Sequence, residues 1–128
     1  VNQSYLVTYD GKMTVNEFAQ SIGASQFRSQ PIELLTLSAC STAAGDKKAA
    51  LGLAGITVKA GARSALATLW SVNDVATAEL MTEFYRDFRD ESLNKAQVLQ
   101  KAQLHMLNDK RYRHPGYWAP FLLIGNWL

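Results

Sequence analysis

The amino-acid sequence predicts an α/β sandwich built on a largely parallel sheet. Two short, nearly continuous apolar runs carry that expectation: residues 32–40 (IELLTLSAC) and residues 62–70 (ARSALATLW). Each reads as a strand buried on both faces, as strands of parallel sheets are. Helical patterns separate and follow the two runs, and strands alternating with helices form layers around a sheet.

Taken in order, residues 4–9 (SYLVTY) are rich in β-formers and run into Asp10-Gly11, a strong hairpin signal. Thr14 reads as an N-cap, and Glu17 three residues on completes a capping box. The helix it opens is expected to stop at Gly23. Residues 24–31 are polar and form a loop closed by Pro31; after the first apolar run, residues 41–48 are small and polar, a second loop. Residues 51–60 read as a helix ended by Gly61. Gly52 and Gly55 inside it each cost about 1 kcal/mol relative to Ala, a cost that close packing on a neighbour would explain.

After the second run, Ser71, Asn73 and Asp74 are cap formers for the clearest helix of the chain. Leu80, Met81, Phe84, Tyr85 and Phe88 fall on one stripe of it, a core-facing pattern. A break at residues 90–93 precedes another helix over about 94–107, with Ala96, Leu99, Ala102 and Met106 expected inward. Residues 108–117 are a basic, turn-forming loop in which Lys110, Arg111 and Arg113 are solvated, and a last buried strand is expected around 121–124.

The composition excludes several classes. With 128 residues, 48% apolar and 19% charged, the chain is one globular domain and not a disordered segment. A net charge of +2 is too near balance for a dedicated nucleic-acid binder. No apolar run approaches the roughly 18 residues of a spanning helix, so no membrane partner is expected. A single cysteine excludes a disulfide framework and fits a reducing, cytoplasmic setting. The start, Val1-Asn2-Gln3-Ser4, lacks the features of a signal peptide and an initiator Met, so the chain is expected to be a piece of something longer.

Chemistry in an open α/β sheet gathers at the carboxyl ends of strands. The first run ends in Ser38-Ala39-Cys40-Ser41-Thr42, the second in Leu69-Trp70-Ser71-Val72-Asn73-Asp74. Cys40 is the candidate nucleophile: a thiol at a strand tip is held from below and open from above, and the small residues 41–45 leave backbone N–H groups for an oxyanion. The competing reading is a core thiol packing as a small hydrophobe. A thiol nucleophile normally needs a His base. The chain has only His105, mid-helix, and His114, before Pro115; surface or capping roles fit both better. Asp46 and Asp74 are the acidic residues nearest the two strand ends, and Asp74 has an alternative duty as a helix cap or first-turn residue. Gly52-Leu53-Ala54-Gly55 lacks the Gly-Lys-Ser/Thr ending of a phosphate loop, and no His/Asp/Glu cluster has metal-ligand spacing, so neither metal nor cofactor is expected.

Four blocks of the sequence resemble the CHAT domain, a bacterial branch of the caspase–separase superfamily of cysteine peptidases. They are LSACSTAAGD, GLAGITVKAGARSALATLWSVNDVATAELMTEFY, KAQVLQKAQLHML and HPGYWAPFLLIGNW, in the family's order, and the likeness runs from about Tyr5 to Trp127. The resemblance implies a caspase-like three-layer sandwich with a mostly parallel central sheet, its amino-terminal strands missing, so that residues 1–128 are the carboxyl-terminal portion of such a domain. It implies a cysteine endopeptidase whose nucleophile is Cys40 and whose dyad His lies upstream of Val1, the 128-residue chain alone being inactive. By likeness to separases, Asp74 would supply the acidic group of a pocket for a basic P1 side chain, with Ser71 and Val72 near the P1 residue. The partners implied are a protein or peptide substrate, the missing amino-terminal half or a second copy of the chain, and tetratricopeptide repeats in the parent protein. The alternative is a non-catalytic caspase-like interaction module in which Cys40 is a relic.

Overall fold

The computed structural model describes residues 5–24, 30–37 and 47–128, with the side chains of residues 47–49 excepted. The chain opens with a hairpin of β1 (Tyr5–Thr8) and β2 (Gly11–Thr14), paired antiparallel with Thr8 opposite Gly11. The turn is therefore Tyr9-Asp10, and Gly11 starts the return strand with φ +149°, a value that suits glycine. Asp-Gly thus acts one residue later than the two central turn positions. Thr8 Oγ1 donates to an Asp10 carboxylate oxygen at 2.9 Å and holds the turn from inside.

The expected capping box opens α1 (Val15–Ala24): the Thr14 amide donates to the Glu17 carboxylate at 2.7 Å, and the Glu17 amide donates to Thr14 Oγ1 at 3.2 Å. These bonds hold the Glu17 carboxyl below its ordinary range. The helix runs through Gly23 and ends one residue later.

The second sheet has the order β3 (Leu34–Leu37), β4 (Ser64–Thr68), β5 (Phe121–Gly125). β3 and β4 are parallel, joined through α2 (Lys47–Lys59), while β5 returns antiparallel to β4. The sheet is thus mixed, one parallel and one antiparallel pair, where a largely parallel one was expected. β4 is buried at all five positions, as its apolar run predicts. β3 is half-buried throughout, because among the described residues only β4 lies beside it. α2 begins at Lys47, inside the stretch expected to be loop, and ends at Lys59, one residue before the expected end, with Gly61 closing it as expected. The Gly61 amide donates to the Val58 carbonyl and the Ala62 amide to the Thr57 carbonyl, each at 3.1 Å, with Gly61 at φ +120°.

Strand alternation divides the apolar residues between two faces. On one face Ala65 and Ala67 of β4 pack with Ala54 of α2, joined by Leu37, Val58 and Ile124. On the other, Leu66 and Phe121 pack against α3 (Asp74–Asp87) and α4 (Lys95–Asn108). The predicted stripe of α3 holds for four of its five residues: Leu80 and Phe84 are fully buried and Met81 and Phe88 pack around them, while Tyr85 is exposed. On α4, Leu99, Ala102 and Met106 face inward as expected, but Ala96 is exposed and Val98 takes the core position. The α4 N-cap, Asn94, sets that phase through a capping box with Gln97.

The expected close approach at Gly52 and Gly55 is not found. Both are exposed, and a Cβ built on either meets nothing within 4 Å. The tight contact falls to Ala54, which has no exposed surface. Gly125, at φ +100°, does depend on having no side chain, because a Cβ there would come within 2.6 Å of the Arg63 carbonyl oxygen.

Lys95 is buried at the start of α4, and its ammonium donates to the carbonyls of Asn126 and Leu128 at 3.1 Å each. It also pairs with Glu33 at 2.6 Å, just before β3. Lys95 therefore ties three distant segments together, which nothing in the local sequence pattern announces. Among the described residues no helix is long and apolar enough to cross a membrane.

Candidate functional site

The parallel pairing fixes where the two informative segments leave the sheet. Leu37 pairs with Ala67, so β3 and β4 point their carboxyl ends to the same edge. Cys40 follows Leu37 by three residues in the sequence, and residues 69–74 follow β4. Cys40 itself, the loop 41–45 and Asp46 lie outside the described residues.

The segment after β4 is pinned from several sides. The Leu69 amide donates to the Pro120 carbonyl at 3.0 Å, extending the ladder toward β5. The Trp70 indole donates to the Gly116 carbonyl at 3.2 Å. Gly116 belongs to a single 3₁₀ turn (Pro115–Tyr117). Val72 is half-buried against the large core, while Ser71 is exposed.

Of the three cap formers, Asn73 is the N-cap of α3. Its side-chain oxygen accepts from the amides of Val75 and Ala76 at 3.0 and 3.2 Å. Asp74 is the first residue of the helix and is exposed. The cap that would have occupied the Asp74 carboxylate is thus made by its neighbour. Asp74 instead places a negative charge in the first turn, where the helix dipole favours it.

Both histidines are accounted for within the fold. His114 is the N-cap of the 3₁₀ turn, and its Nδ1 accepts from the Gly116 amide at 3.1 Å. Its tautomer is thereby set, with the proton on Nε2 when neutral. His105, on α4, lies against α3 with Nε2 3.2 Å from Glu79 and Nδ1 3.8 Å from Glu83. The capping and surface roles expected for them are the ones they take.

A concavity lies on the outer side of α3. It is a shallow recess of about 490 Å³ lined by Met81, Thr82, Tyr85, Arg86 and Arg89. The Tyr85 hydroxyl shares a 2.6 Å hydrogen bond with the Thr36 hydroxyl on β3, so this recess borders the strand that leads to Cys40. Sequence reading placed Tyr85 in the core stripe; its phenol instead lies 46% exposed and bridges helix and strand.

The family model of the CHAT domain matches residues 1–126 of the chain. No curated protein and no solved structure matches it.

Proposed function

The chain belongs to the CHAT domain family, and from that premise we propose that it is the carboxyl-terminal part of a caspase-like cysteine endopeptidase domain, with Cys40 as nucleophile. The family itself points to the caspase-like peptidase superfamily. The observation that supports the catalytic reading is the parallel register of β3 and β4, which turns the carboxyl end of β3, three residues before Cys40 in the sequence, to the same edge of the sheet as the carboxyl end of β4. Functional groups of α/β sheets collect at such edges.

In the proposed reaction the Cys40 thiolate attacks the scissile carbonyl, forming a thioester and expelling the amine, and water then hydrolyses the thioester. Backbone N–H groups stabilise the oxyanion of each tetrahedral intermediate. The proton moves through a His supplied from upstream, since His105 and His114 are engaged in structural contacts. Residues 69–73 flank the substrate, with Ser71 and Val72 beside P1. Asp74, its capping duty taken by Asn73, attracts an Arg or Lys side chain at P1. The substrate is a protein or peptide in the cytoplasm. The missing amino-terminal half, or failing that a second copy, covers the outer edge of β3, and tetratricopeptide repeats in the parent protein present the target.

The test is cleavage of a peptide library varied at P1 by the parent protein, alongside Cys40→Ala and Asp74→Asn. Cleavage after basic residues, abolished by Cys40→Ala and shifted away from basic P1 by Asp74→Asn, is the expected result. Cleavage that survives Cys40→Ala overturns the nucleophile. A basic preference that survives Asp74→Asn overturns the pocket. A parent protein that cleaves nothing yet retains a partner through this domain supports the non-catalytic module, for which the engagement of both histidines also speaks.

A further inference from the structure

We propose that Glu79, Glu83 and His105 form a binding site for a divalent transition-metal ion, Zn²⁺ above all, that clasps α3 to α4. The three residues come from two facing helices, and one ligand atom from each lies within 4.8 Å of the others. Glu79 and Glu83 are four residues apart on α3 and so stack on one face of it. His105 meets them from α4, already 3.2 Å from Glu79.

Tetrahedral zinc with ligands at about 2.1 Å spaces its donor atoms about 3.4 Å apart. Side-chain rotation of about an ångström therefore converts the observed cluster into a coordination shell, with no movement of backbone required. The backbone is well placed to stay still, because each ligand adjoins a buried core residue: Leu80 beside Glu79, Phe84 beside Glu83 and Met106 beside His105. A nitrogen donor with two carboxylates suits zinc and its first-row neighbours, whereas calcium and magnesium prefer oxygen alone.

Charge is also favourable. Two carboxylates and a neutral imidazole balance the ion's double charge, and Glu83 also pairs with Arg86. Glu79 and His105 are partly exposed, which leaves a coordination position open to water. Three protein ligands and one open position are the pattern of zinc sites that hold an exchangeable ligand.

The experiment uses the 128-residue chain carrying Cys40→Ser, so that no thiol competes for the ion. Equilibrium dialysis against Zn²⁺ is expected to give one ion per chain, and Glu83→Gln and His105→Gln each weaken it about 10-fold or more. Glu79→Gln is a third, independent variant, and circular dichroism checks that each remains folded. Co²⁺ in place of zinc is expected to show visible ligand-field bands that vanish in His105→Gln. Absence of Zn²⁺ binding at roughly 100 µM overturns the site whatever the variants do, since such an ion would add little to stability at lower concentrations. Binding that all three variants leave unchanged, or that His114→Ala abolishes, overturns it equally.

Discussion

The two faces of the β3-β4-β5 sheet are packed in opposite ways. Toward α2 the contact is alanine on alanine, Ala54 against Ala65 and Ala67. Toward α3 and α4 it is made by Phe84, Phe121, Leu66, Leu80 and Met106, the largest fully buried side chains of the described residues. The small face gains by close approach of a helix to the sheet, the large face by the apolar area each side chain removes from water. The first has no room to gain volume, and the second has none to lose.

That difference is broken most severely at Phe84. Phe84→Ala removes a fully buried ring from the large face and is expected to cost about 3–5 kcal/mol in urea unfolding, a large fraction of the stability of a domain this size. The reverse change tests the small face. Ala54→Leu, at a position with no exposed surface, is expected to cost about 1–3 kcal/mol through overpacking, while the same exchange at exposed Ala96 costs little. A mild Ala54→Leu would show that α2 can lift from the sheet.

Next comes the cap of the helix that builds the large face. Asn73→Ala is expected to lower stability by about 1 kcal/mol, and Asp74→Asn by only a few tenths, because it is Asn73 that accepts the Val75 and Ala76 amides. Equal effects would mean that the cap is shared. Gly52→Ala and Gly55→Ala, on the exposed side of α2, are each expected to raise stability by about 0.5–1 kcal/mol, since an added Cβ meets no atom there. Either change proving destabilising would reveal a partner on that side.

The smallest effect is a pH dependence beyond α4. The Arg111 guanidinium beside Asp109 holds its carboxyl down to about 2, from the ordinary 3.8. A depressed carboxylate stabilises above its unfolded value, so this contribution is present above about pH 4 and lost as pH falls toward about 2. Thermal melts between pH 5 and 2 should therefore fall less steeply for Asp109→Asn than for the unaltered chain.

The large face was legible in the sequence because big apolar residues at helical spacing have one economical arrangement, and Leu80 and Phe84 occupy it. The small face was not. A glycine inside a helix is compatible with tight contact or with none, and Gly52 and Gly55 prove to be the second kind while neighbouring Ala54 makes the contact. Three cap formers within four residues, Ser71, Asn73 and Asp74, could not be ranked by residue type, since choosing Asn73 over Asp74 depends on where the chain turns out of β4. Buried Lys95 was invisible for a different reason: its partners Glu33, Asn126 and Leu128 are far away in sequence. The same holds for His105 with Glu79 and Glu83, which become neighbours only when α3 and α4 pack. Cys40 is the reverse case: residue type alone suggested a chemistry for it, and its surroundings lie outside the described residues.

The order in which β4 acquires its neighbours has a consequence during synthesis. β3 precedes it, but its antiparallel partner β5 begins 53 residues after Thr68. At roughly 5–20 residues per second a ribosome delivers that partner about 3–11 s later. For that interval the most buried strand of the sheet has one side unpaired, and α3 and α4 are made before the strand whose Phe121 completes their core. The sheet is therefore closed from the carboxyl end, and a nascent chain halted before Phe121 would present β4 to whatever strand or chaperone reaches it first.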